Sequence, residues 1–224
     1  EIRLSLVGSE MCIRDTNTSG GNSDRLSFRF GLGLRRQTPD TVTTGNGTYN
    51  IARDNNGVSE DRARIELRND WIQQSGSSWR YFVNFAADHD EFQPWDWRIN
   101  SAAGIGYDLV KDAELTLILR TGLGGYRELG GRGFDNAHAE ITPGLDLEYK
   151  IDERSKITAS FDYYQAFDDQ DVYRFIARAA YDILLDPKSN LSLRIGIEDR
   201  YDQTAVSPRV KNDIEMFTAL VFRF

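Results

Sequence analysis

The chain is poor in the residues that build disulfides, metal sites and catalytic centres. Its 224 residues include one cysteine, Cys12, and two histidines, His89 and His138. A single cysteine cannot form a disulfide within the chain, and nucleophilic catalysis usually needs a histidine base beside a serine or cysteine. Neither histidine lies in a recognisable serine motif. We therefore predict no catalytic residues, no metal site and no cofactor.

The chain also lacks an excess of positive charge and any long apolar run. It has 27 Lys+Arg against 35 Asp+Glu, a net charge of −8 and a pI near 4.9. This balance is unfavourable for binding phosphate backbones, so we expect no nucleic-acid partner. The mean hydropathy is −0.52, and no segment has the roughly 20 apolar residues of a spanning helix. A helical membrane protein is excluded, whereas a membrane barrel is not, because its strands are apolar only on alternate residues.

Alternation of apolar and polar residues is the main pattern that is present. Leu191, Leu193, Ile195 and Ile197 share one face, and the charged residues between them share the other. Such a period of two predicts β-strands. It recurs in ten segments, with an eleventh, poorly patterned one near 39–52. The ten are 24–36, 59–73, 78–89, 95–110, 113–127, 135–151, 155–168, 171–185, 189–202 and 211–224.

The length of these strands favours a membrane barrel over a soluble sandwich. Strands in globular sheets usually have five or six residues, whereas tilted membrane strands need about nine to eleven. Outward aromatic residues also fall into two groups, as in the girdles of outer-membrane barrels. The outer girdle is Trp97, Phe167, Tyr173 and Tyr201, and the periplasmic girdle is Trp71, Trp79, Tyr107, Tyr149, Tyr181 and Phe224. A soluble all-β binding domain remains the alternative.

The end of the chain resembles the signal that the outer-membrane barrel assembly machinery recognises. In "IEMFTALVFRF", Leu220, Phe222 and Phe224 alternate on one face, and the chain ends on an aromatic residue. We therefore expect two partners, outer-membrane lipid and this machinery. We also expect a monomer, located in the bacterial outer membrane.

The inward faces of the strands carry mixed charge. We expect a network of ion pairs that fills the lumen, because facing lipid would cost each such charge about 2–4 kcal/mol. The alternative is a narrow pore for small solutes whose arginine-rich wall favours anions. The expected network is Arg120, Glu140, Glu148, Arg174, Arg178, Asp182, Arg194 and Glu198.

Acidic residues cluster in two places that we assign to outer loops. One cluster, "ADHDEF", contains Asp88, Asp90 and Glu91 around His89, and the other contains Asp168, Asp169 and Asp171. They lack the spacing of a calcium-binding loop, so we expect solvated loops and no metal, and the alternative is a divalent cation held between lipid headgroups.

Several segments together resemble the salt-induced outer-membrane protein family, also called YdiY-like. They include "HDEFQPWDWRINSAAGIGYDLV", "GLDLEYKIDERSKITASFDYY" and "PRVKNDIEMFTALVFRF", and the resemblance covers about 18–224. It implies a Gram-negative outer-membrane barrel of unassigned function, with a possible link to salt or osmotic stress. Residues 37–58 depart from it, since they are weak in strand pattern where the family has a strand.

The first residues do not share the pattern of the rest. "LVGSEMCIRD" is the translation of CTC GTG GGC TCG GAG ATG TGT ATA AGA GAC, which resembles a tagmentation sequencing adapter. We interpret 5–15 as adapter-derived, 1–17 as non-native and 18–224 as the barrel domain, and we expect that a native first strand and signal peptide are missing. Since bacterial barrels have an even number of strands, eleven here indicate twelve in the intact antiparallel up-and-down barrel.

Overall fold

The computed structural model describes residues 9–14, 17–19, 25–55, 57–73, 76–93, 95–130, 137–205 and 211–223. Within these ranges, no helix is long and apolar enough to cross a membrane. Fourteen antiparallel strands form one sheet. They are β1 (Ser9–Arg14), β2 (Asn17–Ser19), β3 (Arg25–Gln37), β4 (Thr41–Asp54), β5 (Gly57–Ile72), β6 (Trp79–Asp90), β7 (Trp97–Lys111), β8 (Leu115–Leu129), β9 (Ala137–Ile141), β10 (Gly144–Lys150), β11 (Ser155–Ala166), β12 (Tyr173–Asp186), β13 (Leu191–Asp202) and β14 (Asn212–Arg223).

The fourteen strands occupy twelve positions around the sheet. From β3 to β14 each strand pairs with its neighbours in the chain, an up-and-down order. β9 and β10 share one position between β8 and β11, and β1 and β2 share another beside β3. The predicted all-β class and the twelve antiparallel strands are confirmed.

The twelfth position is filled by β1, which lies in the segment 1–17 that we interpret as non-native, and by β2, which begins at the last residue of that segment. β1 pairs with β3 on one side and with Ala219–Arg223 of β14 on the other, whereas β2 pairs only with β3 in the described part of the chain. Among the described residues, the ring is therefore joined along one half of β14 and open along the other half. Backbone groups of any non-proline sequence can make such pairs. The pairing therefore does not test whether residues 5–15 derive from an adapter, and that origin stays a prediction.

Two strands differ from the expected pattern. β4 pairs along its length with β3 and β5, with one register shift between Ala52 and Arg53, although its Thr, Gly and Asn residues gave a weak signal. Neighbouring strands supply the partners that its own residues do not specify. The expected strand 135–151 is interrupted at Thr142 and Pro143, because proline has no N–H for the ladder.

The connections lie at two opposite rims. β3, β5, β7, β10 and β12 end at the lower rim, and β4, β6, β8, β11 and β13 end at the upper rim. Short connections at the lower rim include 38–40, 112–114 and 187–190. In the last of them, Asn190 adopts a φ of 51°, a left-handed conformation that asparagine tolerates.

The distribution of side chains is the reverse of that in a soluble protein. Large apolar side chains lie on the outer surface, with Met216 71% and Leu123 63% exposed. Charged side chains such as Asp182 and Glu198 are buried inside. An apolar outer face around a polar interior is the pattern of a membrane barrel.

Candidate functional site: the charged lumen

The lumen contains two cavities, one above the other. The lower vestibule, of about 830 Å³, extends to the lower rim at Thr38, and the upper vestibule, of about 720 Å³, extends to Trp95 at the upper rim. Arg64 and Arg200 line both cavities. The boundary between the vestibules therefore lies at the level of these two arginines.

Two ion pairs cross the lumen at this boundary. Arg178 of β12 lies 3.8 Å from Glu66 of β5, and Arg200 of β13 lies 4.0 Å from Asp88 of β6. Each pair joins strands six positions apart in the twelve-position ring, which are on opposite walls. We call these two contacts the bridges.

Each bridging group also has a partner on its own wall. Arg64 binds both bridging carboxylates, at 2.5 Å from Asp88 and 3.4 Å from Glu66. Glu198 binds both bridging arginines, at 3.1 Å for Arg178. Breaking the bridges would therefore leave no charge without a partner, which removes the main cost of separating a buried ion pair.

Above the bridges, two arginines lie between aromatic rings. The guanidinium of Arg98 is 4.7 Å from the ring centre of Trp95 and 5.1 Å from that of Tyr126. Arg174 lies 4.4 Å from both Tyr126 and Tyr164. Such cation–π contacts stabilise desolvated arginines. Arg98 pairs with Glu128 at 2.5 Å and with Asp202 at 2.9 Å, and Arg174 pairs with Glu140 at 2.5 Å.

The eight residues expected in the charge network all lie on inward faces. Six of them form three pairs, which are Arg174–Glu140 at 2.5 Å, Arg178–Glu198 at 3.1 Å and Arg194–Asp182 at 2.7 Å. Arg120 binds Asp146 at 2.8 Å and Asp162 at 3.0 Å. Glu148 lies 4.0 Å from Lys156.

Sequence analysis missed several partners in this network. Asp146 and Asp162 each bind Arg120, and Phe82 lies in the lumen between Arg68 and Arg120. The two aspartates could have been found from the alternation, because they occupy polar positions between outward apolar residues. An inward phenylalanine has no such signal.

The assignment of "ADHDEF" to a loop is wrong for its first residues. Asp88 lies within β6 and binds Arg64 inside the lumen, and His89, also in β6, stacks on Trp97 at 5.0 Å. The strand continues to Asp90, so acidic residues near its end were mistaken for a loop. The described residues contain no group of three or more His, Cys, Asp or Glu placed to hold a metal ion.

The aromatic residues expected in girdles that belong to described strands lie on the outer face. Trp97 and Tyr173 begin β7 and β12 at the upper rim, and Tyr201 near the end of β13 stacks on Tyr173 at 5.6 Å. Towards the lower rim are Trp71, Trp79, Tyr149 and Tyr181. In the assembly signal, Leu220 is exposed and Phe222 pairs with Leu191, whereas Phe224 lies outside the described residues.

A hydrogen bond ties the loop after β11 to β9 at the upper rim. Nδ1 of His138 donates to the carboxylate of Asp168 at 2.9 Å. This bond lowers the pKa of Asp168 below its usual 3.8. Since the folded pKa is the lower one, the tether stabilises the loop above the unfolded pKa, and its contribution is lost as pH falls through the folded value.

The tether can be tested by NMR titration of the Asp168 carboxyl in detergent micelles. We expect a midpoint below 3.8 in the unaltered protein, shifted up toward 3.8 in His138→Ala. Asp152, in a turn at the lower rim, is the internal control, because its pKa is lowered by the backbone N–H of Arg154 instead. Equal Asp168 midpoints in the two proteins would show that the hydrogen bond does not form.

An up-and-down sheet of twelve antiparallel positions, apolar outside and charged within, defines a membrane β-barrel. Residues 17–224 match the model of a family described as protein of unknown function, DUF481. The chain belongs to this family, and the resemblance found in the sequence is confirmed. A comparison with curated proteins found no match.

Solved structures with a similar fold are outer-membrane barrels. The NanC porin has a TM-score of 0.53 at 9% identity, over 96% of this chain and 97% of that chain. An outer-membrane channel from Pseudomonas putida F1 has a TM-score of 0.53 at 11% identity, over 97% and 93%. The translocator domain of the autotransporter NalP from Neisseria meningitidis has 0.52 at 10%, over 97% and 88%. These likenesses establish the fold.

Proposed function

We propose that the protein is a narrow channel for small solutes in the outer membrane of a Gram-negative bacterium, held nearly closed by the bridges. The observation that carries the proposal is that polar vestibules reach both rims and are separated by contacts of 3.8 and 4.0 Å. Each group in those contacts keeps a partner on its own wall when they open. That two similar folds are named a porin and an outer-membrane channel supports the class.

The proposal gives the salt link of the family resemblance a physical basis. The Debye length falls from about 8 Å at physiological ionic strength to about 3 Å in 1 M salt, and pairs that solvent reaches are screened more than buried ones. The bridges are the longest cross-lumen pairs and their side chains are 15–28% exposed to the vestibules, so we expect high salt to weaken them. We propose that the channel opens as ionic strength rises.

The proposal also names the partners of the protein and includes no chemical reaction. The apolar outer face contacts lipid, and the last strand, with Leu220 and Phe222, is recognised by the barrel assembly machinery during insertion. The protein works as a monomer. It has no catalytic step and no cofactor.

Conductance in planar bilayers tests the proposal. We expect the current through the unaltered protein to rise more steeply with KCl concentration than the bulk conductivity does. Glu66→Gln removes one bridge, while Arg178 keeps Glu198 and Arg64 keeps Asp88. This variant is expected to conduct severalfold more at low salt.

Glu148→Gln is the matched control. Glu148 lines the same lower vestibule but makes no contact across the lumen among the described residues, so its loss leaves both bridges intact. Heat-modifiable migration in gels shows whether each variant is folded. Absence of current at every salt concentration, or equal low-salt currents in the two variants, would overturn the proposal.

A further inference from the structure

The lower vestibule ends in a ring of three cations. Arg35 lies two residues before the end of β3, Lys111 ends β7, and Arg194 is the fourth residue of β13. All three line the lower cavity and come from strands spread around the ring. We call them the basic mouth.

The carboxylates that balance these cations lie behind them. The side chain of Lys111 is 49% exposed and that of its partner Asp108 is 1% exposed, and Arg194 at 21% covers Asp182 at 2%. Arg35 makes no ion pair with any residue that the structure describes. Each cation of the basic mouth therefore faces the solvent of the vestibule. The carboxylates that pair with Lys111 and Arg194 lie deeper in the wall.

Two carboxylates of the lower cavity are partly exposed and have cation partners. Glu148 is 31% exposed with Lys156 4.0 Å away, and Asp146 is 27% exposed and bound by Arg68 and Arg120. Exposed carboxylates of the lower-rim turns, such as Asp112 and Glu114, lie outside the cavity lining. Among the residues that the structure describes, the ten cations that line the cavity outnumber its seven carboxylates, so the basic mouth supplies surplus positive charge.

At the upper rim the order of exposure is reversed. The side chain of Asp213 is 56% exposed and that of its partner Arg62 only 13%, and Asp202 at 24% is more exposed than Arg98 at 11%. Lys211 and Asp90 add one charge of each sign there. The lumen is therefore polarised, positive at the lower rim and more negative at the upper rim.

We propose that the basic mouth selects small anions, of the halide, carboxylate and phosphate kind, and that the polarised lumen makes their passage directional. This inference rests on the proposed channel. A ring of one sign of charge at a constricted mouth raises the local concentration of counter-ions and sets the sign of selectivity. The three cations contact no common partner, so each contributes to the potential independently.

Reversal potentials in a KCl gradient test the inference. The unaltered protein is expected to show a reversal potential of the sign for chloride preference, together with an asymmetric current–voltage curve. Arg35→Gln is expected to shift the reversal potential toward zero and to reduce the asymmetry. Arg35→Lys keeps the charge and is expected to restore both.

Arg36→Gln is the matched control, because it makes the same change in net charge one residue away. Arg36 alternates with Arg35 along β3 and faces outward, away from the cavity lining. An equal shift in the two glutamine variants, or cation preference in the unaltered protein, would overturn the inference while leaving the channel in place. Loss of all current would instead overturn the proposed function and this inference with it.

Discussion

Glu140→Ala is expected to lower the free energy of unfolding by about 3–5 kcal/mol, the usual cost of removing one partner from a buried ion pair. Glu140 is 1% exposed and accepts hydrogen bonds of 2.5 and 2.9 Å from Arg174. Without it, the described partners of Arg174 are the amide oxygen of Asn100 and two aromatic rings. Urea unfolding in lipid vesicles, followed by tryptophan fluorescence, measures the change.

Glu148→Ala provides the control for this measurement. It is the same substitution at the same position of the ring, but Glu148 is partly exposed and lies 4.0 Å from Lys156. Pairs of this kind contribute at most about 1 kcal/mol. Equal losses in the two variants would mean that burial of the Arg174 pair does not decide the stability of the lumen.

Leu123→Arg is expected to destabilise the protein by about 2–4 kcal/mol, the cost of an arginine facing lipid at mid-membrane. Leu123 lies in the middle of β8 on the outer face and is 63% exposed. In water an exposed leucine can be exchanged with a change within about 0.5 kcal/mol. The same substitution therefore separates a membrane barrel from the soluble alternative, and it is measured by urea unfolding in vesicles.

Leu109→Arg makes this comparison sharper. Leu109 is 50% exposed but lies two residues before the lower end of β7, where an arginine at the membrane interface costs only about 0–1 kcal/mol. A membrane barrel requires a large difference between the two variants. Near-neutral values for both would support a water-soluble sheet.

Much of the fold could be predicted from the alternation because the period of a strand is a local property. Leu193 and Arg194 point to opposite faces for the same reason in any antiparallel strand, so inside and outside could be assigned residue by residue. β4 was the weak case, since its Thr and Gly residues show little alternation of apolar and polar side chains. Pairing with its two neighbours holds it in place.

The candidate site could be predicted only in composition. Arg178 and Asp182 were expected inside, but the partners of Arg178 depend on which strands face each other across the lumen. Glu66 is six strand positions away and lies 3.8 Å from it, a contact with no local signature. Asp88 lay both at the end of the expected strand 78–89 and in the segment assigned to a loop, and pairing with β5 and β7 places it in the strand.

The sequence by itself determined the class of the protein, namely long antiparallel strands with an apolar outside and a charged inside. The tertiary structure alone decided whether the inside is open. Distances across a barrel depend on the number and stagger of its strands. These place Arg178 and Arg200 within reach of carboxylates on the opposite wall, and they leave Arg35 facing the lower vestibule.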